Sequence, residues 1–222
     1  MLNRMLIVLV TLMLTLPVSA QPWQEYPGIE RGRRHRDLPP GFTGQPQPAE
    51  FTVGRLMFPQ YPNGPFGSGR GNWQKGGTAW TVDYPEGDRT FARLLARLTT
   101  LDVRLVEQPV NLDEADTAFD WPFLISGLVG AWNLTDYQAA KLREYLLKGG
   151  FLLCDSFYGQ AEWDGFYATL KRVFPDRLVV DLPQDHPIFH NPFDLQDKRQ
   201  IPTWQYLPQG YREGGHTPYW RA

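Results

Sequence analysis

Apolar residues recur along this chain in two periods, and their alternation lays out the fold. Phe51 to Met57 (FTVGRLM) alternates closely enough to predict a first strand. Phe91, Leu94, Leu95 and Leu98 then fall at i, i+3, i+4 and i+7, the stripe of an amphipathic helix with Asp88 as its expected N-cap. Val103 to Val106 and Phe123 to Ser126 are short apolar runs predicted as strands, the second stopped at Gly127. Thr135 and Gln138 have the spacing of a capping box that opens a second helix. In that helix Leu142, Tyr145 and Leu146 form the buried stripe, and Glu144 pairs with Lys148 outside. Gly149-Gly150 ends it by permitting left-handed backbone. Phe151 to Cys154 follows as a wholly apolar strand, the pattern of a strand buried on both faces. Trp163 to Phe174 is helical again, Pro175 stops it, and Leu178 to Val180 reads as a last strand. Strand and helix alternate with short links, so the expected fold is α/β, an open doubly wound and mostly parallel sheet with right-handed crossovers.

Before Phe51 the pattern changes. Met1 to Met5 carries Arg4, Leu6 to Leu16 is an apolar run, and Val18-Ser19-Ala20 ends in small residues. Residues 1–20 therefore read as a cleavable signal peptide, and the mature protein is expected to be exported, periplasmic or extracellular. Residues 21–50 form a Pro- and Gly-rich flexible leader in which Glu25, Glu30, Asp37 and Glu50 nearly balance Arg31, Arg33, Arg34 and Arg36. The domain proper is expected to span residues 51–222. Its first loop, residues 58–85, is long, and its Trp73, Trp80 and Tyr84 imply that it packs down onto the domain. The run Gly67-Ser68-Gly69-Arg70-Gly71 lacks the Lys-Ser/Thr ending of a phosphate-binding loop. After Asp181 the sequence turns Pro- and aromatic-rich and stops at Tyr219-Trp220-Arg221-Ala222 without a finished element. The sheet is accordingly expected to be C-terminally incomplete.

Composition narrows the classes. A formal net charge of −2 gives no electrostatic footprint for nucleic acid and no basic face for anionic membranes. No segment beyond the signal peptide is long and apolar enough to span a bilayer. The single cysteine, Cys154, has no internal disulfide partner, so the fold must be held by its core.

Candidate chemistry gathers where an open α/β sheet binds ligands, at the carboxyl ends of its strands. Ser126-Gly127, Cys154-Asp155-Ser156 and Asp185-His186 would share that rim. Asp155, Asp185 and His186 are the candidate catalytic groups for acid–base work. Ser126, Gly127, Ser156, Trp80 and Trp132 are the candidate ligand contacts, the two indoles because flat rings stack on sugar faces. Cys154 reads as a buried core thiol. It lacks the small neighbours of a nucleophile elbow, and Asp155 beside it disfavours the thiolate. His186 and His190 lie four apart, but Pro187 and Pro192 place them in a loop, so neither a metal nor a cofactor is expected.

Several segments carry a likeness to a known family. They are Arg55-Leu56-Met57-Phe58, Trp80 to Pro85, Leu124-Ile125-Ser126-Gly127, Gly149 to Asp155, Lys171 to Pro175 and Asp185-His186-Pro187-Ile188-Phe189. In that order they resemble the bacterial family of the domain of unknown function 4159. The resemblance implies a flavodoxin-like, class I glutamine amidotransferase-like fold and an exported or membrane-attached protein. It implies no established reaction. Glutamine hydrolysis itself is not expected, because Cys154 lacks the elbow glycines and no His is followed two residues on by Glu. Two functions remain on the sequence. One is a non-catalytic binding or scaffold module of the cell envelope, with an envelope protein or a glycan as partner. The alternative is a hydrolase of a sugar derivative or amide using the carboxylate and His rim.

Overall fold

The structure, a computed structural model, describes residues 22–27, 38–45, 49–62, 71–114, 116–191 and 193–196. Residues 1–20, expected to be a signal peptide, the basic cluster Arg31 to Arg36 and the chain after Gln196 lie outside the described residues.

Four parallel strands form one sheet: β1 (Phe51–Met57), β2 (Val103–Asn111), β3 (Phe123–Ser126) and β4 (Phe151–Cys154), in the order β2-β1-β3-β4. Among the described residues three helices accompany it, α1 (Glu86–Leu98), α2 (Asp136–Leu147) and α3 (Gly159–Val173). This is an open α/β sheet, as the alternation of elements predicts. Leu56 and Leu124 on one face share the main core with Ala139 and Leu142 of α2 and Phe166 and Val173 of α3. On the other face Val53 meets Ala92 of α1, with Phe51, Phe123 and Ile125 around them. At the centre Gly54 has no alternative: a Cβ there would lie 2.5 Å from Leu124 Cδ2 and 2.9 Å from the Phe123 carbonyl oxygen.

Helix α2 follows its sequence signals closely. Thr135 Oγ1 accepts from Gln138 N at 3.2 Å and the Gln138 side chain returns to Thr135 N at 3.0 Å, the reciprocal capping box. Lys148 Nζ reaches Glu144 Oε1 at 2.6 Å, and Gly149 takes φ 98° past the end. The described parts of loop 58–85 pack down as its aromatics imply, with Trp80 and Tyr84 buried, and the run Gly67 to Arg70 lies outside the described residues. Tyr26 of the leader is buried with them, its ring edge-on to Trp80 at 5.2 Å, so the organised part of the chain reaches ahead of Phe51.

Four expectations are corrected. Asp88 is not the cap of α1: the helix starts at Glu86, and Asp88 is buried inside its first turn. The apolar stripe of α1 is only half packed: Phe91 and Leu95 lie part-buried against the Val53 and Ala92 cluster. Asp88, Arg89 and Ala92 are buried, whereas Leu94 and Leu98 are 48% and 56% exposed. The helix rolls because two ion pairs, described below, tie its other side to the sheet. Residues 178–180 form no strand, and Leu178 is 74% exposed. Consequently β4 has β3 as its one sheet partner among the described residues, and Phe151 is 46% exposed rather than buried on both faces. Strand β2 runs on to Asn111, and its register slips by two residues: Thr52 faces Arg104 whereas Gly54 faces Gln108.

Candidate functional site

Order β2-β1-β3-β4 places the topological switch between β1 and β3, where the chain leaves one strand for β2 and the other for β4. The loops after such strands diverge and leave a crevice at their carboxyl ends. Arg55, near the end of β1, points to the α1 side of this crevice. Its Nε donates to Asp88 Oδ1 at 2.9 Å and its Nη2 to Oδ2 at 2.9 Å, with the two side chains only 5% and 0% exposed. The next residue of α1, Arg89, donates from Nε to Glu107 Oε2 at 2.8 Å and from Nη2 to Oε1 at 3.2 Å, an equally buried pair from α1 to β2. Arg and Asp are almost never buried unless paired, so these pairs fix how α1 sits. Burial raises the Tyr84 hydroxyl above its ordinary range, and the nearby Glu107 adds to that. Arg104 fills the register slip, donating from Nε to Val106 O at 2.8 Å and from Nη2 to Gln108 Oε1 at 3.0 Å. Burial pulls its guanidinium down to about 10.

The backbone around the crevice is also unusual. Among the described residues, the non-glycine positions with positive φ are Asp83, just before α1, Leu128, just after β3, and Ser156, just after β4, at 59°, 50° and 64°. All three lie at the carboxyl end of the sheet, where strained backbone most often accompanies function. Gly127 ends β3 against Arg55: a Cβ there would lie 3.4 Å from Nη1. Gly87 stands on the other side, its Cβ position 3.9 Å from Nη2.

The residues expected from the sequence are placed as follows. Asp155 continues the β4 ladder through its N–H to Ser126 O at 2.9 Å, and its Oδ1 accepts from Ser156 N at 2.7 Å. His186 caps the 3-10 turn Pro187–Phe189, its Nδ1 accepting from Ile188 N at 3.3 Å. Asp185 is exposed in the preceding turn. No hydrogen bond or ion pair joins Asp155 to His186 or Asp185 among the described residues. His190 is held at both ring nitrogens, Nδ1 by Asp194 and Nε2 by Gln184 O at 2.8 Å. The Asp194 contact raises its pKa, with the Gln184 carbonyl adding to it. Cys154 is a part-buried free thiol packed against the main core. Desolvation, then Asp155, pushes it up to about 12. Among the described residues no three His, Cys, Asp or Glu side chains come together as metal ligands.

Three expected ligand contacts are core instead. Trp80 and Trp132 are fully buried, Nε1 of Trp80 donating to Trp73 O at 2.8 Å and Nε1 of Trp132 to Ser126 Oγ at 3.0 Å. Neither indole has a face left for a sugar, and the Ser126 hydroxyl is committed and fully buried. Of that set, Gly127 borders the crevice of Arg55, and Ser156 lies one strand away. None of Arg55, Asp88, Arg89 and Glu107 stands out in the sequence as a site residue, and Asp88 reads there only as a helix cap. The available signal was an arginine inside an otherwise apolar strand, which demands a buried carboxylate somewhere else in the chain.

A shallow groove along β2, lined by Pro39, Phe42, Asp102 and Leu105, lies at the start of that strand and so at the opposite end of the sheet. No helix among the described residues is long and apolar enough to cross a membrane.

The family model described as "Domain of unknown function (DUF4159)" matches residues 71–221. The match covers more than half of the chain, so the chain belongs to this family. No curated protein matches it.

Proposed function

We propose that this member of the family of domain of unknown function 4159 is an exported binding module of the cell envelope and not an enzyme. One observation carries the reading: two of the three groups expected to react at the rim, Asp155 and His186, are spent on holding their own segments, and the third, Asp185, is exposed in a turn. Asp155 closes its own turn and His186 caps three residues that follow it. The Cys154 thiol, pushed up to about 12, is almost entirely protonated at neutral pH and is a poor nucleophile. Export rests on the basic start, the short apolar run and the small residues of positions 1–20. The partner is an envelope protein or a glycan, engaged by the crevice between β1 and β3 with its buried cation.

The test has two parts. A fusion of residues 1–25 to a reporter enzyme that is active only outside the cytoplasm should give activity, and deletion of Leu6–Leu16 should abolish it. Asp155→Ala and His186→Ala should fold and retain binding to envelope fractions. Loss of a measured turnover in either folded variant would restore the hydrolase reading.

A further inference from the structure

We propose that Gln21 is a modification site: once residues 1–20 are removed, its side chain closes on its own α-amine to give a pyroglutamyl N-terminus. This rests on the export reading, in which the small residues Val18-Ser19-Ala20 place the cut ahead of Gln21. The step needs no co-reactant. The amine nitrogen attacks the side-chain amide carbon Cδ and bonds to it, the bond from Cδ to Nε2 breaks, and Nε2 leaves as ammonia with a proton from the amine. Nothing is oxidised or reduced. The five-membered lactam contains N, Cα, Cβ, Cγ and Cδ, so the residue itself holds the two reacting groups within reach. It closes by rotation of the side chain alone and leaves the Gln21–Pro22 peptide bond as it is.

Gln21 lies outside the described residues, but the chain directly after it is described. Pro22 is exposed, and from the next residue on the main chain is pinned. Trp23 N donates to Gly44 O at 3.1 Å, and the Trp23 ring stands edge-on to Phe42 at 5.1 Å. Three residues further, Tyr26 is buried against Trp80. The fixed part of the mature chain thus begins two residues after its first amine, and closing the lactam disturbs none of it. The same anchoring opposes the rival cyclisation open to a terminus with proline second. There the amine attacks the Pro22 carbonyl carbon, expels the Trp23 nitrogen and releases residues 21 and 22 as a diketopiperazine. That route must distort the peptide unit whose N–H holds Gly44; the lactam does not. The product is a blocked, neutral terminus in place of an ammonium group.

The full chain, exported by its host cell and purified, is held at pH 8 and followed by intact mass and by stepwise degradation from the N-terminus. It should start at residue 21, weigh one ammonia less than the unmodified chain from Gln21, and give no sequence by degradation. Gln21→Ala has no amide to close on. It should give a free amine, readable sequence and the parent melting temperature, because the packed segment begins at Trp23. A chain that starts at Gln21 and keeps its amine after prolonged incubation would overturn the proposal and leave the export reading standing. A chain starting at Trp23, the remnant of diketopiperazine release, would do the same. Retention of residues 1–20 would overturn both. A blocked terminus in Gln21→Ala would assign the block to another group and so overturn the proposal.

Discussion

Replacing Asp88 by leucine tests the central claim about α1. The substitution leaves the Arg55 guanidinium 95% removed from water with its carboxylate gone. Breaking one side of a buried ion pair costs about 3–5 kcal/mol, because the remaining charge stays desolvated and unpaired. For a domain of this size each kcal/mol is worth about 2–4 °C, so the melting temperature should fall by roughly 6–20 °C. Total stability is only about 5–15 kcal/mol, so the variant will be marginal. Arg55→Met should suffer comparably from the orphaned carboxylate. The double variant Arg55→Met/Asp88→Leu removes both charges and should recover most of the loss, since an apolar replacement of a buried pair is often neutral. Thermal melts followed by circular dichroism, with urea titrations to check that the slope is unchanged, measure all three. If Asp88→Leu melts within about 2 °C of the parent, the pair is not the tie that sets α1. If instead the double variant loses the sum of the single losses, the two groups are not coupled.

Other substitutions and titrations probe the remaining claims. Leu94→Lys and Leu98→Lys should each cost less than about 1 kcal/mol in urea unfolding, as exposed positions do. A cost of about 2–5 kcal/mol would mean that the stripe is buried after all. Native protein should resist iodoacetamide at pH 8, because desolvation and then Asp155 hold the Cys154 thiol protonated up to about 12. Fast labelling without unfolding would contradict that setting. His190 should titrate above the ordinary histidine value in NMR, raised by Asp194 and the Gln184 carbonyl. Its stabilising effect on the 184–195 turn is therefore fully present below the unfolded histidine pKa and lost as pH rises through the higher folded one. In parent protein, proteolysis in this turn should be faster at pH 9 than at pH 5.5 relative to a His190→Ala control. An identical ratio at both pH values would remove the role.

Elements whose signals are local were legible along the chain. The capping box of Thr135 and Gln138, the i,i+4 pair of Glu144 and Lys148 and the stop at Gly149 each need only neighbouring residues. The alternation of strands and helices likewise requires covered parallel strands, and an α/β sheet follows. What lies far apart along the chain was decided by tertiary structure. Arg55 and Asp88 are 33 residues apart, and Arg89 and Glu107 are 18 apart. No periodicity announces either pairing, yet together they set a roll of α1 in which Phe91 and Leu95 of the stripe pack and Leu94 and Leu98 stay exposed. Burying an unpaired charge costs more than leaving two leucines partly in water. The same reason separates the rim as read from the rim as built. Asp155 and His186 are polar residues at the right end of the sheet, but each finds a backbone N–H within two residues. Trp80 and Trp132 were legible as large flat rings, and only packing decided that both faces of each would be covered. Arg55 was hidden in an apolar strand because its partner arrives only when β1 and α1 meet.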